Sequence, residues 1–416
     1  MTVSALAEFS PEIEAVRDMV NRFMQSEVAP VMDGFEARGE FPRALVRKAG
    51  EAGLYGAVFP ESVGGSHMGY LAATVIQEEM VRNDVRFSSC NNQQGSTCPS
   101  CIYFGGTSEQ IMKYVPNLVA GKTIGMMSLT ESGGGSDAEG NMLTLARRDG
   151  DVYRITGQKM WASMANECDV GVLFAKTDRH AGAKGVTAFI VQPKHYPGWK
   201  AQPIDCLGLS KAFRTNVVYL DDFVVPVQDR LGEEGEGFKI IMRTLQPGRL
   251  GVAGKALGVA RRCYEEAVRY ANERVLRGQP IGRFQMIQSE IAEMAVAIEA
   301  TRAVVYKAAM MMDASMASNR MAAIAKYHAS QTAKLCADKA VQIFGGYGLA
   351  REYPVSYYRA YSDMFFTGEG SANVQKIMIA EDALGYKVAD RHHGKTGLRD
   401  IRKDDVAAEI VRASGG

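Results

Sequence analysis

Three segments of this 416-residue sequence carry groups that could do chemistry. Residues Leu129–Asp137 read LTESGGGSD, and adjacent glycines let main-chain N–H groups approach an anion. Cys98 and Cys101 form a C-x-x-C pair, which is either a redox pair or two incidental thiols. Met310–Met312 could present soft thioethers to a ligand or simply fill a core. None of the three identifies a function by itself.

Composition narrows the possible classes of protein and partner. Seven cysteines, an odd number spread over a long chain, argue against a disulfide framework. No second cysteine pair or H-x-x-H lies near Cys98, so we expect no metal site. A formal net charge of +1 predicts neither a nucleic-acid nor a membrane partner. No apolar run approaches the ~20 residues of a membrane span, and no secretory signal is visible. We therefore expect a cytoplasmic protein, although a removed organellar leader would leave no trace.

The first ~125 residues have helical patterns. Ser10 and Pro11 make a good helix start, because a capping hydroxyl is followed by proline in the first turn. Apolar residues then recur at helical spacing from Ile13 to Met24. We predict two further helices and an intervening turn at Leu71–Val81, Glu109–Val115 and Pro60–Gly65.

From residue 126 the pattern changes to short β-prone runs separated by turns. Asp149-Gly150 is a hairpin candidate, and the regular spacing predicts a small sandwich or barrel that ends near Pro226. The helical period returns at Gly237, and apolar residues at 287, 291, 294 and 298 form the stripe of a bundle helix. The predicted strands are Val152–Thr156, Val170–Ala175, Val186–Val191 and Asn216–Leu220.

These patterns predict an α+β, mainly α, chain in the order helices, β domain, helices. We place an N-terminal helical domain at 1–125, a middle β domain at 126–236 and a C-terminal antiparallel bundle at 237–390. The polar residues 391–416 are expected to be a solvated tail or a subunit contact. Ligand sites favour clefts between domains, so we expect the site where the domains meet.

Six segments in chain order resemble signatures of the acyl-CoA dehydrogenase family. Residues 129–137 resemble T-E-P-x-A-G-S-D, with Ser132 replacing the proline and Gly134-Gly135 replacing alanine-glycine. Glu369–Gln375 (EGSANVQ) resembles E-G-T-x-E-I-Q, and the whole match covers roughly residues 10 to 390. The other four segments are Ile155–Trp161 (ITGQKMW), Leu207–Pro226, Arg274–Gln285 and Gln342–Gly348 (QIFGGYG).

The resemblance implies a fold, a cofactor and a reaction. The fold is an N-terminal helical domain, a middle β-sandwich or barrel domain and a C-terminal four-helix bundle. The resemblance also implies FAD as the cofactor, an acyl-CoA substrate, an electron-transfer flavoprotein as the electron acceptor, and a homotetramer. Desaturation of a thioester needs a base for the α-proton, a stabiliser for the enolate-like oxygen and a hydride acceptor, which no side chain can be. The resemblance makes Glu369 the base, its own N–H a contact of the thioester oxygen, and flavin N5 the acceptor of the β-hydride.

The family has a second place for the base, immediately before an arginine of the long C-terminal helix. In this sequence that arginine corresponds to Arg249, and Gly248 precedes it. Glycine cannot take a proton. Glu369 is therefore the base that the resemblance predicts.

The resemblance also implies which residues contact the cofactor and the substrate. Trp161 would cover one face of the flavin, the alternative being a core aromatic. The other implied cofactor contacts are Thr130 at the pyrimidine edge, Ser163 at N5, Arg274 at the pyrophosphate, and Ser371, Gln285 and Asn373. A neighbouring subunit would supply the adenosine end with Gln342, Gly345 and Gly346. The implied substrate contacts are Ser136 at the CoA portion, Arg249, Gly368 and Gly370.

Three positions bear on the acyl group and its surroundings. Gly368 stands where the family has a tyrosine, and the missing ring opens space that favours a branched, cyclic or aryl-bearing acyl group. Arg277 replaces a family aromatic, so packing on the flavin must differ there. Arg86 resembles the residue with which glutaryl-CoA dehydrogenases hold a distal carboxylate, a contact that suits a guanidinium fork. The alternative for Arg86 is a plain surface arginine.

Two other functions stay open on the same fold. One is an oxidase that uses oxygen, or a dehydrogenase that also decarboxylates. The other is a flavin-bearing scaffold or a nucleic-acid binder without activity, which predicts a degraded base and a basic face. Glu369 and the near-zero net charge favour the enzyme.

Overall fold

The computed structural model describes residues 10–138, 140–316, 318–386 and 398–414. Helices come first, a sheet follows, and helices complete the described chain, as the sequence predicts. The helices before the sheet are α1 (Pro11–Phe23), α2 (Met32–Arg38), α3 (Arg43–Glu51), α4 (Gly69–Asn83), α5 (Cys98–Gly105) and α6 (Ser108–Val119). The strands are β1 (Gly125–Ser128), β2 (Leu145–Asp149), β3 (Val152–Ser163), β4 (Val170–Lys176), β5 (Val186–Val191), β6 (Trp199–Pro203), β7 (Thr215–Pro226), β8 (Arg230–Leu231), β9 (Val275–Leu276) and β10 (Gln279–Pro280). The later helices are α7 (Gly237–Glu273), α8 (Gln285–Asp313), α9 (Asn319–Phe344), α10 (Val355–Ser362), α11 (Met364–Thr367), α12 (Ala372–Ala383) and α13 (Asp405–Ser414).

The first helix begins as the sequence predicts. The Ser10 hydroxyl accepts the Ile13 N–H at 3.3 Å, and Pro11 occupies the first turn, where its missing N–H costs no helical hydrogen bond. The apolar face of α1 is buried, and a π-helical turn, Met24–Val28, continues it. A second π-helical segment, Gln93–Thr97, precedes α5. The predicted helices at Leu71–Val81 and Glu109–Val115 are confirmed as parts of α4 and α6.

The middle of the chain is one eight-stranded mixed sheet in two halves. Strands β6, β7, β3 and β2 are antiparallel neighbours, and β1, β4, β5 and β8 form the other half. One residue pair, Leu145 with Lys176, joins the halves. Apolar residues from both halves, including Tyr153 and Phe189, pack into one core. The predicted hairpin at Asp149-Gly150 is confirmed, because Asp149 pairs with Val152.

Four strands of the sheet were not predicted from the sequence. These are β1, β2, β6 and β8. Strand β2 carries Arg147, Arg148 and Asp149, so its polar sequence lacks the β-prone signal. Strand β6 has no buried residue along its length. Edge and solvent-facing strands of this kind depend on pairing rather than on apolar alternation.

The helices after the sheet form the predicted bundle. Helix α9 packs along α7 and α8, and α12 packs on α9 as the fourth member. The predicted stripe of α8 faces the core, with Met294 and Ile298 buried. The methionine run ends with Met312 buried among core residues, which is the core-filling alternative. Helix α4 packs against α7. Helices that precede the sheet in the sequence therefore share one apolar core with helices that follow it.

The described end of the chain differs from a solvated tail. Helix α13 packs against α6, and Ile401 and Val406 are buried. Arg399 donates to the Gly106 carbonyl at 3.1 Å and pairs with Glu409 at 2.6 Å. Two side chains of this segment are thus buried on their own chain, whereas a solvated tail or a subunit contact was predicted. Among the described residues, no helix is both long and apolar enough to cross a membrane.

Candidate active site

Glu369 lies in a short connection between two helices. Helix α11 ends at Thr367, and α12 begins after Ser371, whose hydroxyl caps it by accepting the Val374 N–H at 3.3 Å. Glu369 has φ +53, a conformation that non-glycine residues seldom adopt and that the surrounding structure must hold. Buried Lys326 supplies that hold by donating to the Phe365 carbonyl at 2.7 Å and the Gly370 carbonyl at 2.8 Å.

The two carboxylate oxygens of Glu369 have different surroundings. Asn92 donates to Oε1 at 2.6 Å. Oε2 is buried and has no hydrogen-bond partner in the described part of the chain. A Cβ placed on Gly248 of α7 would lie 3.0 Å from Oε2. The second family position for a base therefore faces the same point in space, and a side chain there would meet the Glu369 carboxylate.

Burial and charge act on Glu369 in opposite directions. Burial raises the pKa of Glu369 above the ordinary glutamate value, while Arg249, Lys255 and Lys326 and the Asn92 hydrogen bond oppose that rise. Burial also lowers the pKa of Lys255 and that of Lys326 to about 8. Arg249 is 5% exposed and reaches Asn319 at 3.4 Å. The free oxygen thus belongs to a carboxylate with increased proton affinity.

The glycine-rich loop and strand β3 meet near Glu369. The Met160 N–H donates to the Thr130 carbonyl at 2.8 Å, which brings Thr130 beside Trp161. Trp161 is 54% exposed with φ +60 at an irregularity in the pairing of β3, so it is not a core aromatic. Ser163 ends the same strand. The Ser136 and Ser371 hydroxyls lie 3.5 Å apart, which joins the glycine-rich loop to the Glu369 segment.

A second set of expected residues lies together after α7 and α9. The Arg274 guanidinium lies 5.5 Å from the centre of the Tyr347 ring, and no ion pair of Arg274 occurs among the described residues. Gly345 and Gly346 precede Tyr347, and a Cβ on either would meet no atom within 4 Å. Gln342 is exposed on the last turn of α9. An unpaired guanidinium beside open glycine backbone is suited to a phosphate-bearing ligand.

Four further expected site residues make no side-chain contact with Glu369 or with the glycine-rich loop among the interactions described above. The Arg86 side chain pairs with Asp84 at 2.6 Å and with Asp33 at 2.7 Å, so two carboxylates of its own chain already engage it. A Cβ on Gly368 would lie 3.1 Å from Met364 Sδ, so a flexible thioether borders the space left by the missing ring. Gln285 and Asn373 are exposed in the first turns of α8 and α12.

Three neighbours of Glu369 escaped the sequence analysis. Asn92 lies 277 positions away in the sequence, so no local pattern connects it to the carboxylate. Lys255 and Lys326 interrupt the apolar runs GVAGKALGVA and AAIAKYHAS. A lone lysine on an otherwise apolar helix face was the available signal, because such a lysine is buried only with partners.

The C-x-x-C pair serves packing. Cys98 and Cys101 are free and buried. Burial raises the pKa of both thiols, to about 12 for Cys101, so neither has the thiolate character of a redox cysteine. Among the described residues, no group of three or more potential metal ligands occurs.

Comparison with known proteins identifies the family. Models of acyl-CoA dehydrogenase domains match residues 10–122 (N-terminal), 126–223 (middle) and 235–384 (C-terminal). Glutaryl-CoA dehydrogenase of Desulfococcus multivorans is 37% identical over 386 residues, covering 92% of this chain and 99% of that protein. The caffeyl-CoA reductase-Etf complex subunit CarC of Acetobacterium woodii is 37% identical over 379 residues, covering 89% and 98%. A solved glutaryl-CoA dehydrogenase in complex with glutaryl-CoA has a TM-score of 0.88 at 36% identity and covers 92% of this chain and 97% of that one.

The chain belongs to the acyl-CoA dehydrogenase family. It is an FAD-dependent oxidoreductase that acts on CoA thioesters. The residues present fit that cofactor. An exposed indole can cover a flavin face, the Thr130 segment lies beside it, and the unpaired Arg274 and open glycines suit a pyrophosphate.

Proposed function

We propose that the protein desaturates an acyl-CoA between its α- and β-carbons, with Glu369 as the base. The observation that carries this proposal is the Oε2 atom of Glu369, which is buried, has no partner in the described chain and faces the space beside Gly248. A general base needs such an unoccupied oxygen within reach of the proton that it removes. Its raised pKa brings its proton affinity toward that of the acidified α-carbon.

Each group around Glu369 has a separate role in the proposed reaction. Asn92 fixes the carboxylate through Oε1, which leaves Oε2 to take the α-proton. The main-chain N–H of Glu369 holds the thioester oxygen, where negative charge develops. Three cations around Glu369 keep enough of it ionised for proton removal despite its burial. FAD, when bound, supplies the hydride acceptor that no side chain provides.

The residues that would hold FAD form two sets. Thr130, Trp161 and Ser163 would contact the ring, and Ser371, whose hydroxyl lies 3.5 Å from that of Ser136 in the glycine-rich loop, would add a further contact. Arg274, Gln342, Gly345 and Gly346 form the pyrophosphate and adenosine set, with Gln285 and Asn373 as outer contacts. On the substrate side we assign Ser136, Arg249, Gly368 and Gly370.

For the acyl group we propose a branched, cyclic, aryl-bearing or dicarboxylic chain. Gly368 supports the bulky alternatives, since no ring of its own projects beside the base. The names of two relatives, glutaryl-CoA dehydrogenase and caffeyl-CoA reductase, include a dicarboxylic and an aryl substrate. A dicarboxylic substrate requires Arg86 to exchange one of its two aspartate partners for the substrate.

We propose an electron-transfer flavoprotein as the electron acceptor and a homotetramer as the assembly. The name of the Acetobacterium relative places it in a complex with such a flavoprotein. Large apolar side chains are exposed around Arg274 and Tyr347, and such surfaces favour burial by another subunit. These exposed side chains are Val275, Leu276, Met286 and Leu349. Seven free cysteines support a reducing, cytoplasmic location.

Anaerobic bleaching of the bound flavin tests the proposed reaction. The holoenzyme is mixed with straight, branched, aromatic and dicarboxylic acyl-CoA esters, and flavin absorbance is followed without oxygen. We expect at least one ester to bleach the flavin and to yield the 2-enoyl-CoA. The variant Glu369→Gln should keep its yellow colour and bind the ester, but its flavin reduction should slow by several orders of magnitude.

The same experiment separates the alternative outcomes. Near-normal reduction in Glu369→Gln would place the base elsewhere. Rapid reoxidation by oxygen alone would identify an oxidase, and release of carbon dioxide would identify a decarboxylating enzyme. Absence of bleaching by every ester would reject the proposed desaturation.

A further inference from the structure

A buried ion pair joins strand β3 to the start of the glycine-rich loop. The Lys159 side chain of β3 is 0% exposed, and that of Glu131 is 7% exposed. The Lys159 ammonium donates to Glu131 Oε1 at 2.7 Å and to the Leu129 carbonyl at 3.1 Å. A buried ion pair adds little net stability compared with apolar groups of the same volume. The place of this pair in the chain is therefore its more informative property.

Glu131 also closes the base of the glycine-rich loop. Its Oε2 accepts the Leu143 N–H at 2.6 Å, and its Oε1 accepts the Thr144 N–H at 3.0 Å. Its main-chain carbonyl accepts the Gly134 N–H at 3.2 Å. Most of the described residues between these two ends of the loop are exposed. Since exposed glycines contribute no side-chain packing, the position of the loop depends on the carboxylate at its base.

The pair lies between the two segments that are proposed to contact the flavin. Lys159 contacts the residue on each side of Thr130 in the sequence. Trp161 follows Lys159 by two positions, and the Met160 N–H donates to the Thr130 carbonyl at 2.8 Å. The φ of +60 at Trp161 is a conformation that the surroundings must hold. The pair and the Met160 hydrogen bond thus fix the Thr130 and Trp161 segments to each other.

Lys159 is not placed to contact a ligand directly. Its side chain has no exposed surface in the described chain, and its ammonium already donates to two oxygens. The Glu131 carboxylate likewise accepts three hydrogen bonds from its own chain. Any effect of the pair on a ligand must therefore act through the segments that the pair holds.

We propose that Lys159 and Glu131 are positioning residues for the flavin, because they hold Thr130 beside Trp161. The inference rests on the flavin contacts proposed above for these two residues. Without the pair, the base of the loop would separate from β3, and the two contacts would no longer be held in one geometry. The expected result is weaker FAD binding and looser stacking on Trp161.

FAD release from diluted holoenzyme tests the proposal. The double variant Lys159→Met with Glu131→Gln removes the pair without leaving an isolated buried charge. Asp229→Asn is the matched control, because Asp229 is 3% exposed and accepts from Tyr114 at 3.0 Å and Gln192 at 3.3 Å, outside the loop. Free flavin fluorescence should show an FAD Kd raised about tenfold in the double variant, the lower end of the loss when residues that orient metal ligands are removed. The control should keep the native Kd.

Tryptophan emission gives a second readout that a change in stability alone would not move. The chain has two tryptophans, so Trp199→Phe leaves Trp161 as the only one. In this background a stacked flavin should quench Trp161, and the emission should rise as the diluted holoenzyme releases FAD. Removal of the pair should make the rise per released FAD smaller. Asp229→Asn should leave it unchanged.

Each result decides the proposal. Native FAD retention and native quenching in the folded double variant would overturn it, as would an equal loss of FAD in Asp229→Asn. Glu131→Gln alone keeps the shape of the side chain and should change both measures in the same direction. Native values in that variant would reject the proposal even if the double variant does not fold. Absence of quenching in the native background would reject the Trp161 contact on which the proposal rests.

Neither measurement involves turnover. A failure of these tests leaves the desaturation at Glu369 standing, and a failure of the desaturation leaves the FAD measurements valid.

Discussion

At the scale of the residue, Glu369 combines an unusual backbone with an unusual charge environment. Its φ of +53 turns the carboxylate inward between Gly368 and Gly370. Isolated burial would keep such a group protonated at neutral pH, and a protonated base cannot remove a proton. In the proposed reaction the nearby cations therefore have a catalytic consequence, even though they make no hydrogen bond to Glu369 in the described chain.

Lys255 provides a direct measure of that electrostatic effect. In the proposed reaction the ionised form of Glu369 is the active one, so flavin reduction should rise with pH through the pKa of Glu369, which lies above the ordinary glutamate value. Lys255→Met removes one opposing charge and raises that pKa further. We expect the acid limb of the reduction rate to move about one unit to higher pH.

Stopped-flow flavin reduction across pH 5 to pH 9 (roughly the working range) measures this shift. Lys200→Met, which changes an exposed lysine of β6, should leave the acid limb in place. An unchanged acid limb in Lys255→Met would show that its charge does not act on the base.

At the scale of the element, the Glu369 segment depends on helix α9. Lys326 joins the start of α11 to the connection before α12 by donating to the carbonyls of Phe365 and Gly370. Gln375 adds a further bond to the Gly370 carbonyl at 3.1 Å. These contacts fix both ends of a strained connection, and strain of this kind persists only when the surroundings over-determine it. Lys326 is accordingly a positioning residue.

Lys326→Met should lower kcat far more than it changes KM. The substitution frees the Glu369 segment and also removes a charge, so we expect a loss of about 10²-fold in flavin reduction while acyl-CoA binding is largely retained. Lys334→Met, on the same helix with partners on the surface, should stay within twofold of the native enzyme. Equal loss in both variants, or an unchanged kcat in Lys326→Met, would contradict the positioning role.

At the scale of the whole molecule, a buried charge cluster joins helices that precede the sheet in the sequence to helices that follow it. Glu78 and Glu79 of α4 are at most 1% exposed. Arg261 of α7 contacts both carboxylates at 2.5 Å, and Arg17 of α1 contacts Glu79 at 2.8 Å. Tyr306 of α8 donates to Glu78 at 2.5 Å. The cluster is therefore a polar junction inside the shared apolar core.

Arg261→Met should destabilise the protein by about 3–5 kcal/mol, because two buried carboxylates lose their principal cation. Burial raises the pKa of Glu79, but Arg261, Arg82 and Arg17 outweigh it and lower that pKa. The stabilisation is therefore present above the ordinary glutamate pKa and is lost as pH falls through the lowered one. Thermal unfolding should show a large deficit at neutral pH that shrinks toward pH 3 (about one unit below the ordinary value).

Arg269→Met is the matched control on the same helix. Arg269 is 45% exposed and pairs with exposed Glu273 and with buried Glu266, which keeps a second cation, Arg262 at 2.7 Å, when Arg269 is removed. Exposed pairs contribute about 0–1 kcal/mol. Similar thermal midpoints for both variants, or a deficit of Arg261→Met that does not depend on pH, would argue against a junction stabilised by charge.

Much of the fold was predictable because its signals are local. Ser10-Pro11 starts α1, the hairpin follows Asp149-Gly150, and the stripe of α8 faces the core. Strands β2 and β6 escaped prediction because their pairing, not their apolar pattern, places them in the sheet. The tail helix α13 was not predicted because it lies in a largely polar segment, in which Val406 of the helix and Ile401 before it are buried.

The sequence by itself determined the family, the order of elements and Glu369 as the expected base, because motifs and periodicity are local properties. Only the tertiary structure decided the surroundings of this expected base. Asn92, Lys255 and Lys326 reach Glu369 from distant parts of the chain. Proton affinity and hydrogen-bond vacancies depend on burial and on which distant groups meet, and no sequence pattern encodes either directly.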